Sequence, residues 1–261
     1  MKIISSLVAI GALMLSTWSF AERSPDIERE LRMKAEIVDA IMDGEPVELE
    51  ADNHTFMGIF TEAENAKGTV VIAHGRGFHP DWPTVVQPLR VGLVERGWNT
   101  LSIQMPVLEK SAKYFDYVEI FDAAGPRIEA AIAYAKENGG DNVVLFAHSC
   151  GSHMAQRWIL NKGEEATQQF SAYVGMGMGA TDYKQPMVEP FQLNKMKMPI
   201  LDLYGEDDYP AVVRIAPERD MMIAEAGNPK SKQISVKGAT HYFVDKGDVL
   251  VKTVADWLDT L

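Results

Sequence analysis

Short strand-like segments, several of them unbroken apolar runs, recur along this chain at 69–73, 99–105, 142–147, 170–176, 200–204 and 232–236. Between them lie stretches with helical spacing, such as Val85, Val86, Leu89, Leu93 and Val94, or 122–137 closed by Gly139-Gly140. Strands that alternate with helices of this length predict a mostly parallel central sheet with helices on both faces. The run Thr69-Val70-Val71-Ile72-Ala73 has no polar alternation, as in a strand covered on both sides. Further helices are expected over 149–161, 212–226 and 248–260, with Gly125-Pro126 marking a break or fresh start within the 122–137 helix.

Ahead of this pattern, Val47 and Leu49 alternate with Glu48 and Glu50, and a turn at 51–54 leads to the apolar arm 56–60. That predicts a β-hairpin, with His54 in its turn and without a chemical role. A helix is expected from Ser24 as N-cap, with Pro25 at its first position, to about Met42. With 46% hydrophobic and 24% charged residues and no internal repeat, residues 22–261 read as one α/β domain.

Residues 1–21 read as a cleaved signal peptide. Lys2 supplies a positive start, 3–15 is an apolar stretch of h-region length, and Ser19-Phe20-Ala21 carries small residues at the cleavage-determining positions. The stretch is too short for a membrane span, so the expectation is a periplasmic or secreted protein with no stable span after processing. Cys150 is the only cysteine, so no internal disulfide is possible and stability must come from the core. A net charge of −12 gives no footing for nucleic acid. No His/Cys/Asp spacing reads as a zinc site, and neither metal nor cofactor is inferred.

The chemistry gathers where strands end, which is where parallel sheets place their functional groups. The strand Val143-Val144-Leu145-Phe146-Ala147 runs into His148-Ser149-Cys150-Gly151, with small residues two before and two after the serine. That is the pattern of a nucleophile elbow centred on Ser149. A serine hydroxyl needs a base, and a histidine base needs a carboxylate to fix its tautomer. His241 follows the last strand, and Asp207 and Asp208 follow Gly205 after the strand before it, giving the order Ser…Asp…His. Cys150 at the elbow is a rival nucleophile, but the strand-to-helix register puts Ser149 at the apex.

These residues carry a resemblance. The stretches Val71-Ile72-Ala73-His74-Gly75, Ala147-His148-Ser149-Cys150-Gly151, Leu203-Tyr204-Gly205-Glu206-Asp207-Asp208 and Gly238-Ala239-Thr240-His241 resemble the α/β-hydrolase superfamily. The loop from Ala73 to Pro83 looks more specifically like an uncharacterised exported bacterial branch of it, from which no activity carries over. The resemblance implies an α/β-hydrolase fold and a triad of Ser149, Asp208 and His241, the acid standing three residues after Gly205. It also implies an oxyanion hole from the backbone N–H groups of Cys150 and of Arg76, with Gly77 as second choice. One position departs from the superfamily's G-x-S-x-G, where Ala147 replaces the first glycine.

The stretch 177–198, where cap domains usually enter, is too short for a large lid. An open site is therefore expected, edged by Met176, Met178, Phe78, Trp82, Met105 and Tyr114 or Phe115. His148 is expected to point away from the site, His153 to be packed or exposed, His74 to support its loop, and His79 to line the pocket or cap a helix. The activity implied is a serine hydrolase acting on a small-molecule carboxylic ester or acyl substrate. The alternative is a non-catalytic protein using this fold for binding or envelope assembly.

Overall fold

The computed structural model describes residues 23–261; the expected signal peptide lies outside them. Along the chain run α1 (Ile27–Ile37), β1 (Glu45–Ala51), β2 (His54–Thr61), β3 (Thr69–Ala73), α2 (Val86–Gly92), β4 (Asn99–Ile103) and α3 (Tyr114–Val118). Then come α4 (Ala124–Gly139), β5 (Val143–His148), α5 (Cys150–Lys162), α6 (Glu164–Thr167), β6 (Ala172–Met176) and β7 (Ile200–Asp207). The chain closes with α7 (Pro210–Arg214), α8 (Ala216–Ala226), β8 (Lys232–Thr240) and α9 (Gly247–Leu258).

The strands form one eight-stranded sheet in the order β1-β2-β4-β3-β5-β6-β7-β8. β1 and β2 form the expected antiparallel hairpin, β2 is also antiparallel to β4, and the remaining pairs are parallel. This is the α/β-hydrolase arrangement. The hairpin turns on Asp52 and Asn53, both at positive φ (48° and 63°), a conformation these two residues tolerate better than most.

Alternation along the central strands sorts their side chains into two layers. Val71, Ala73, Leu145 and Ala147 face α4 and α5, whereas Val70, Ile72, Val144 and Phe146 face α2 and α9. β3 and β5 lie side by side, yet the chain leaves β3 in one direction and reaches β5 by crossing back from β4. The carboxyl ends of such a pair flank the crevice where open α/β sheets bind ligands.

Three buried arginines tie the surrounding segments down. Arg90 pairs with Asp81 and also donates to the Asp43 carbonyl. Arg127 pairs with Glu30 at 2.9 Å and donates to the Gln104 carbonyl and to His54 Nε2. Arg219 pairs with Asp202 at 2.8 Å while donating to the carbonyls of Met178 and Val212. The last of these anchors both the loop after β6 and α7 beneath the site.

Two local expectations are corrected. The first helix is capped by Asp26, whose side chain accepts the Arg29 N–H at 2.9 Å, and not by Ser24. The Asp26 N–H is committed to the Val107 carbonyl, so the chain is still docking where Ser24 would have begun a helix. His54 opens β2 and accepts from Arg127, so it belongs to a polar cluster and does not idle in the turn.

Candidate active site

Ser149 stands between β5 and α5 with φ 53° and ψ −119°, a strained conformation for a residue with a side chain. Its own N–H donates to the Met176 carbonyl at 2.8 Å, and its carbonyl accepts from Ser152, so both sides of the elbow are fixed. The turn brings α5 against the end of β3. A Cβ at Gly151 would stand 2.5 Å from the His74 carbonyl oxygen and 2.7 Å from that of Ala73. Glycine is required there by contact. Ala147 is fully buried and in register with Ala73 on one side and Gly175 on the other, so its methyl is accommodated without disturbing either ladder.

Three residues separated by long stretches of chain meet at this elbow. Ser149 Oγ donates to His241 Nε2 at 2.8 Å, and His241 Nδ1 donates to Asp208 Oδ1 at 2.6 Å. With Nδ1 turned to the carboxylate, Nε2 faces the serine hydroxyl as its acceptor. Asp208 is buried and its Oδ1 also accepts the Tyr209 N–H at 2.6 Å. Asp207 is exposed at the end of β7, paired with Thr240 across an irregularity that begins at Gly205. That irregularity turns the second aspartate, and not the first, toward His241.

His241 is almost fully enclosed, at 2% exposure. The Tyr209 ring stacks on one side of it and the His148 ring lies 5.0 Å away between centroids. His148 thus corrects its expectation. It does not point away but packs behind the imidazole, its Nε2 donating to the His241 carbonyl at 3.2 Å. Burial, with the neighbouring His241 second, holds His148 well below the usual histidine range, so it is a neutral wall. Gly75 makes room for that ring, since a Cβ there would lie 2.9 Å from His148 Nδ1.

The loop after β3 is held as expected by His74. Its Nδ1 donates to the Gly75 carbonyl at 2.8 Å, and its Nε2 accepts the Met105 N–H at 3.0 Å. Burial pushes its pKa down to about 3. His79 does not reach the cleft; its Nδ1 accepts the Asp81 N–H at 3.2 Å and organises the turn toward α2. His153 is packed among Tyr114, Phe121 and Phe191.

The cleft over Ser149 holds about 450 Å³ including its open mouth. Gly75, Arg76 and Cys150 border it on one side, Phe78 and Tyr114 form walls, and Tyr209 and Tyr242 close the His241 side. Cys150 opens α5, where the first N–H groups have no partner within the helix. The Arg76 N–H has no acceptor among the described residues, whereas Gly77 borders the neighbouring cleft. Burial pushes the Cys150 thiol up to about 12, leaving it protonated and a poor nucleophile.

Several expected edge residues are not at the edge. Met105, Met176 and Met178 are core side chains at 1% exposure or less. Tyr209, Tyr242, Ala180 and Thr181 border the cleft in their stead. Phe115 is exposed, and Trp82 stacks on the back of Phe78 at 4.2 Å. The segment 177–198 adds no domain. It crosses the cleft rim and is tied to the loop after β3 by a fork from Arg76 to both oxygens of Asp182, whose Oδ2 also accepts the Tyr114 N–H at 2.7 Å. Among the described residues no group of His, Cys, Asp and Glu side chains is arranged to hold a metal ion, and no helix is long and apolar enough to cross a membrane.

Solved structures share this architecture at low sequence identity. Est1E from Butyrivibrio proteoclasticus is 13% identical with a TM-score of 0.62, over 83% of this chain and 98% of that one. The esterase Pf2001 of Pyrococcus furiosus is 17% identical with a TM-score of 0.63, over 84% and 92%. XC6422 from Xanthomonas campestris, described as an α/β serine hydrolase without lid, is 14% identical with a TM-score of 0.59, over 84% and 95%. At such identities the likeness shows the fold: an α/β-hydrolase fold resembling esterases. No curated protein matches the chain. The family model described as "Protein of unknown function (DUF3530)" matches residues 18–117 and 119–260, and the chain belongs to that family.

Proposed function

We propose that the protein is an exported serine hydrolase acting on carboxylic esters through an acyl-enzyme. The observation that carries the proposal is the unbroken hydrogen-bonded line Ser149 Oγ–His241–Asp208 at the carboxyl ends of β5, β7 and β8. In this reading Ser149 Oγ attacks the ester carbonyl carbon while His241 Nε2 takes its proton. Asp208 stabilises the imidazolium through the Nδ1 hydrogen bond. The oxyanion accepts from the backbone N–H groups of Arg76 and Cys150, one of them at a helix N-terminus. Collapse expels the alcohol, protonated by His241, and leaves the acyl group on Ser149. Water then attacks that acyl carbon, with His241 again as base, and the carboxylic acid departs.

Export to the periplasm or beyond rests on the signal-peptide pattern of residues 1–21 alone. The test of the chemistry is labelling by a fluorophosphonate probe. The intact protein is expected to label, and Ser149→Ala and His241→Ala are expected not to. Folded protein that fails to label would exclude a reactive serine. Turnover of short acyl esters that depends on Ser149 would exclude the purely non-catalytic alternative.

A further inference from the structure

A second cleft opens beside the first, and Arg76 and Phe78 border both. It holds about 620 Å³ including its mouth. Four cations, Arg29, Arg76, Lys110 and Lys113, stand around it against one carboxylate, Glu109. Glu109 shares the Arg23 guanidinium, 3.1 Å away, with Asp116 and Glu119 just outside the lining, and Arg76 is matched by Asp182. Arg29, Lys110 and Lys113 have no carboxylate within ion-pair distance among the described residues. In a protein of net charge −12, a lining with four cations to one carboxylate runs against the overall balance.

The cleft is also shaped for an occupant. Arg29 is held in place by the Leu108 and Gly77 carbonyls, so its guanidinium position is set by the backbone and not by an acid. Gly77, at φ 71°, leaves the floor open where a Cβ would stand 3.4 Å from Arg29 Nη2 and 4.0 Å from the Tyr117 hydroxyl. Burial raises the Tyr117 pKa, so its hydroxyl keeps its proton. The stacked Phe78–Trp82 pair supplies a flat apolar wall.

We infer that this cleft binds the anionic end of the substrate, so that the preferred esters carry a carboxylate or phosphate on one arm, with an apolar or aromatic portion against Trp82. The inference rests on the hydrolase reading of Ser149, because it places the anion in the cleft that adjoins the Ser149 cleft across Arg76 and Phe78. An anion there meets charge already gathered in one place. Lys110 and Lys113 are exposed and supply steering and part of the affinity, while Arg29 supplies the fixed contact.

Binding is measured by calorimetry at low salt on the full chain carrying Ser149→Ala, with phenyl phosphate, phenylacetate and benzyl alcohol as probes. Both anions are expected to bind better than the alcohol, the better of the two identifying phosphate or carboxylate as the preferred group. Adding Lys110→Gln with Lys113→Gln is expected to weaken the anions about three- to tenfold and to flatten their salt dependence. Anions that bind no better than benzyl alcohol, or that ignore the double substitution, would overturn the inference.

In the active protein, kcat/KM is compared for 4-nitrophenyl hemisuccinate against 4-nitrophenyl butyrate, and for 4-carboxyphenyl butyrate against phenyl butyrate. At least one anionic member is expected to win, and its advantage to shrink in the double variant. Fluorophosphonate labelling separates the two readings. A labelled protein without anion preference keeps the hydrolase and loses this subsite. An unlabelled protein that binds anions loses the hydrolase and, with it, the substrate assignment.

Discussion

The Tyr209 ring lies over the His241 imidazole, 4.4 Å between centroids and 28° from parallel. The backbone N–H of the same tyrosine donates to Asp208 Oδ1, the oxygen that also receives His241 Nδ1. One residue therefore fixes the carboxylate with its main chain and roofs the imidazole with its side chain. Its hydroxyl donates to that of Tyr242 at 3.0 Å, which holds the roof shut.

Tyr209→Ala is expected to lower kcat by up to about tenfold, the equivalent of a stacking contact of about 0.5–1.5 kcal/mol. The melting temperature should change little, because the ring is 42% exposed. Tyr209→Phe keeps the stack and should stay within about twofold of the parent. Ester turnover by both variants checks this; an undiminished Tyr209→Ala would show that the roof has no kinetic role.

The two adjacent aspartates should behave very differently. Asp208→Asn removes the partner that fixes the His241 tautomer and is expected to reduce kcat by roughly three to four orders of magnitude. Asp207→Asn alters an exposed side chain and should change kcat less than about twofold. Similar losses in the two variants would mean that the carboxylate acts through general charge.

Gly177 sits at φ 61°, where a Cβ would stand 2.7 Å from His241 Cε1 and 3.0 Å from its Nδ1. Gly177→Ala is expected to cost about 1–2 kcal/mol of stability through the left-handed backbone. It should reduce kcat by a larger factor than that alone implies, since the imidazole must move. Ala147→Gly at the elbow should lower stability by about 0.5–1 kcal/mol with no gain in activity. Denaturant titration alongside kinetics separates the two effects; higher activity in Ala147→Gly would show that the methyl loosens the elbow.

Cys150 contributes its backbone N–H in the proposed mechanism, so Cys150→Ala should retain activity within a few-fold. With the thiol buried and pushed up to about 12, iodoacetamide at pH 7.5 should modify the folded protein far more slowly than the unfolded one. Rapid alkylation of the native state accompanied by inactivation would contradict this.

Stability should fall steeply in mild acid. His74, His148 and His153 are buried, and burial lowers all three pKa values, His74 to about 3 and His153 to about 4. As pH drops below the ordinary 6.5, the unfolded chain takes up protons that the folded chain refuses. Unfolding is thereby favoured, and the loss continues until the folded-state values are reached. Each ring contributes about 1.4 kcal/mol per pH unit in that window, about 4 kcal/mol per unit for three. His153→Phe, which suits the ring cluster around it, should reduce that slope by about one third. Thermal melts from pH 4 to 8 decide it; an unaltered slope in His153→Phe would place a proton on that ring in the folded state.

Much of the strand–helix alternation was legible because β3, β5 and β6 are buried on both faces and so read as largely apolar runs. The order of Ser149, Asp208 and His241 was legible because each follows an expected strand, although β8 before His241 is mostly exposed or half-buried. What could not be read were contacts that join distant loops without a local pattern: Tyr209 on His241, or Arg76 on Asp182. Met105, Met176 and Met178 misled for a related reason. An apolar side chain at a strand's end suits a cleft wall and a core equally well, and only packing decides. His148 misled through its neighbour, since the sharp φ at Ser149 swings the chain so that the preceding ring stays behind His241.

The fork from Arg76 to Asp182 makes the rim segment and the loop after β3 one mechanical piece. Asp182 belongs to the 177–198 segment at the cleft rim, and it braces the loop whose Arg76 amide is proposed to meet the developing charge. An insertion at this point would move that brace before it could cover anything. The short rim is thus a structural commitment: a longer segment there would have to supply another hold for Arg76.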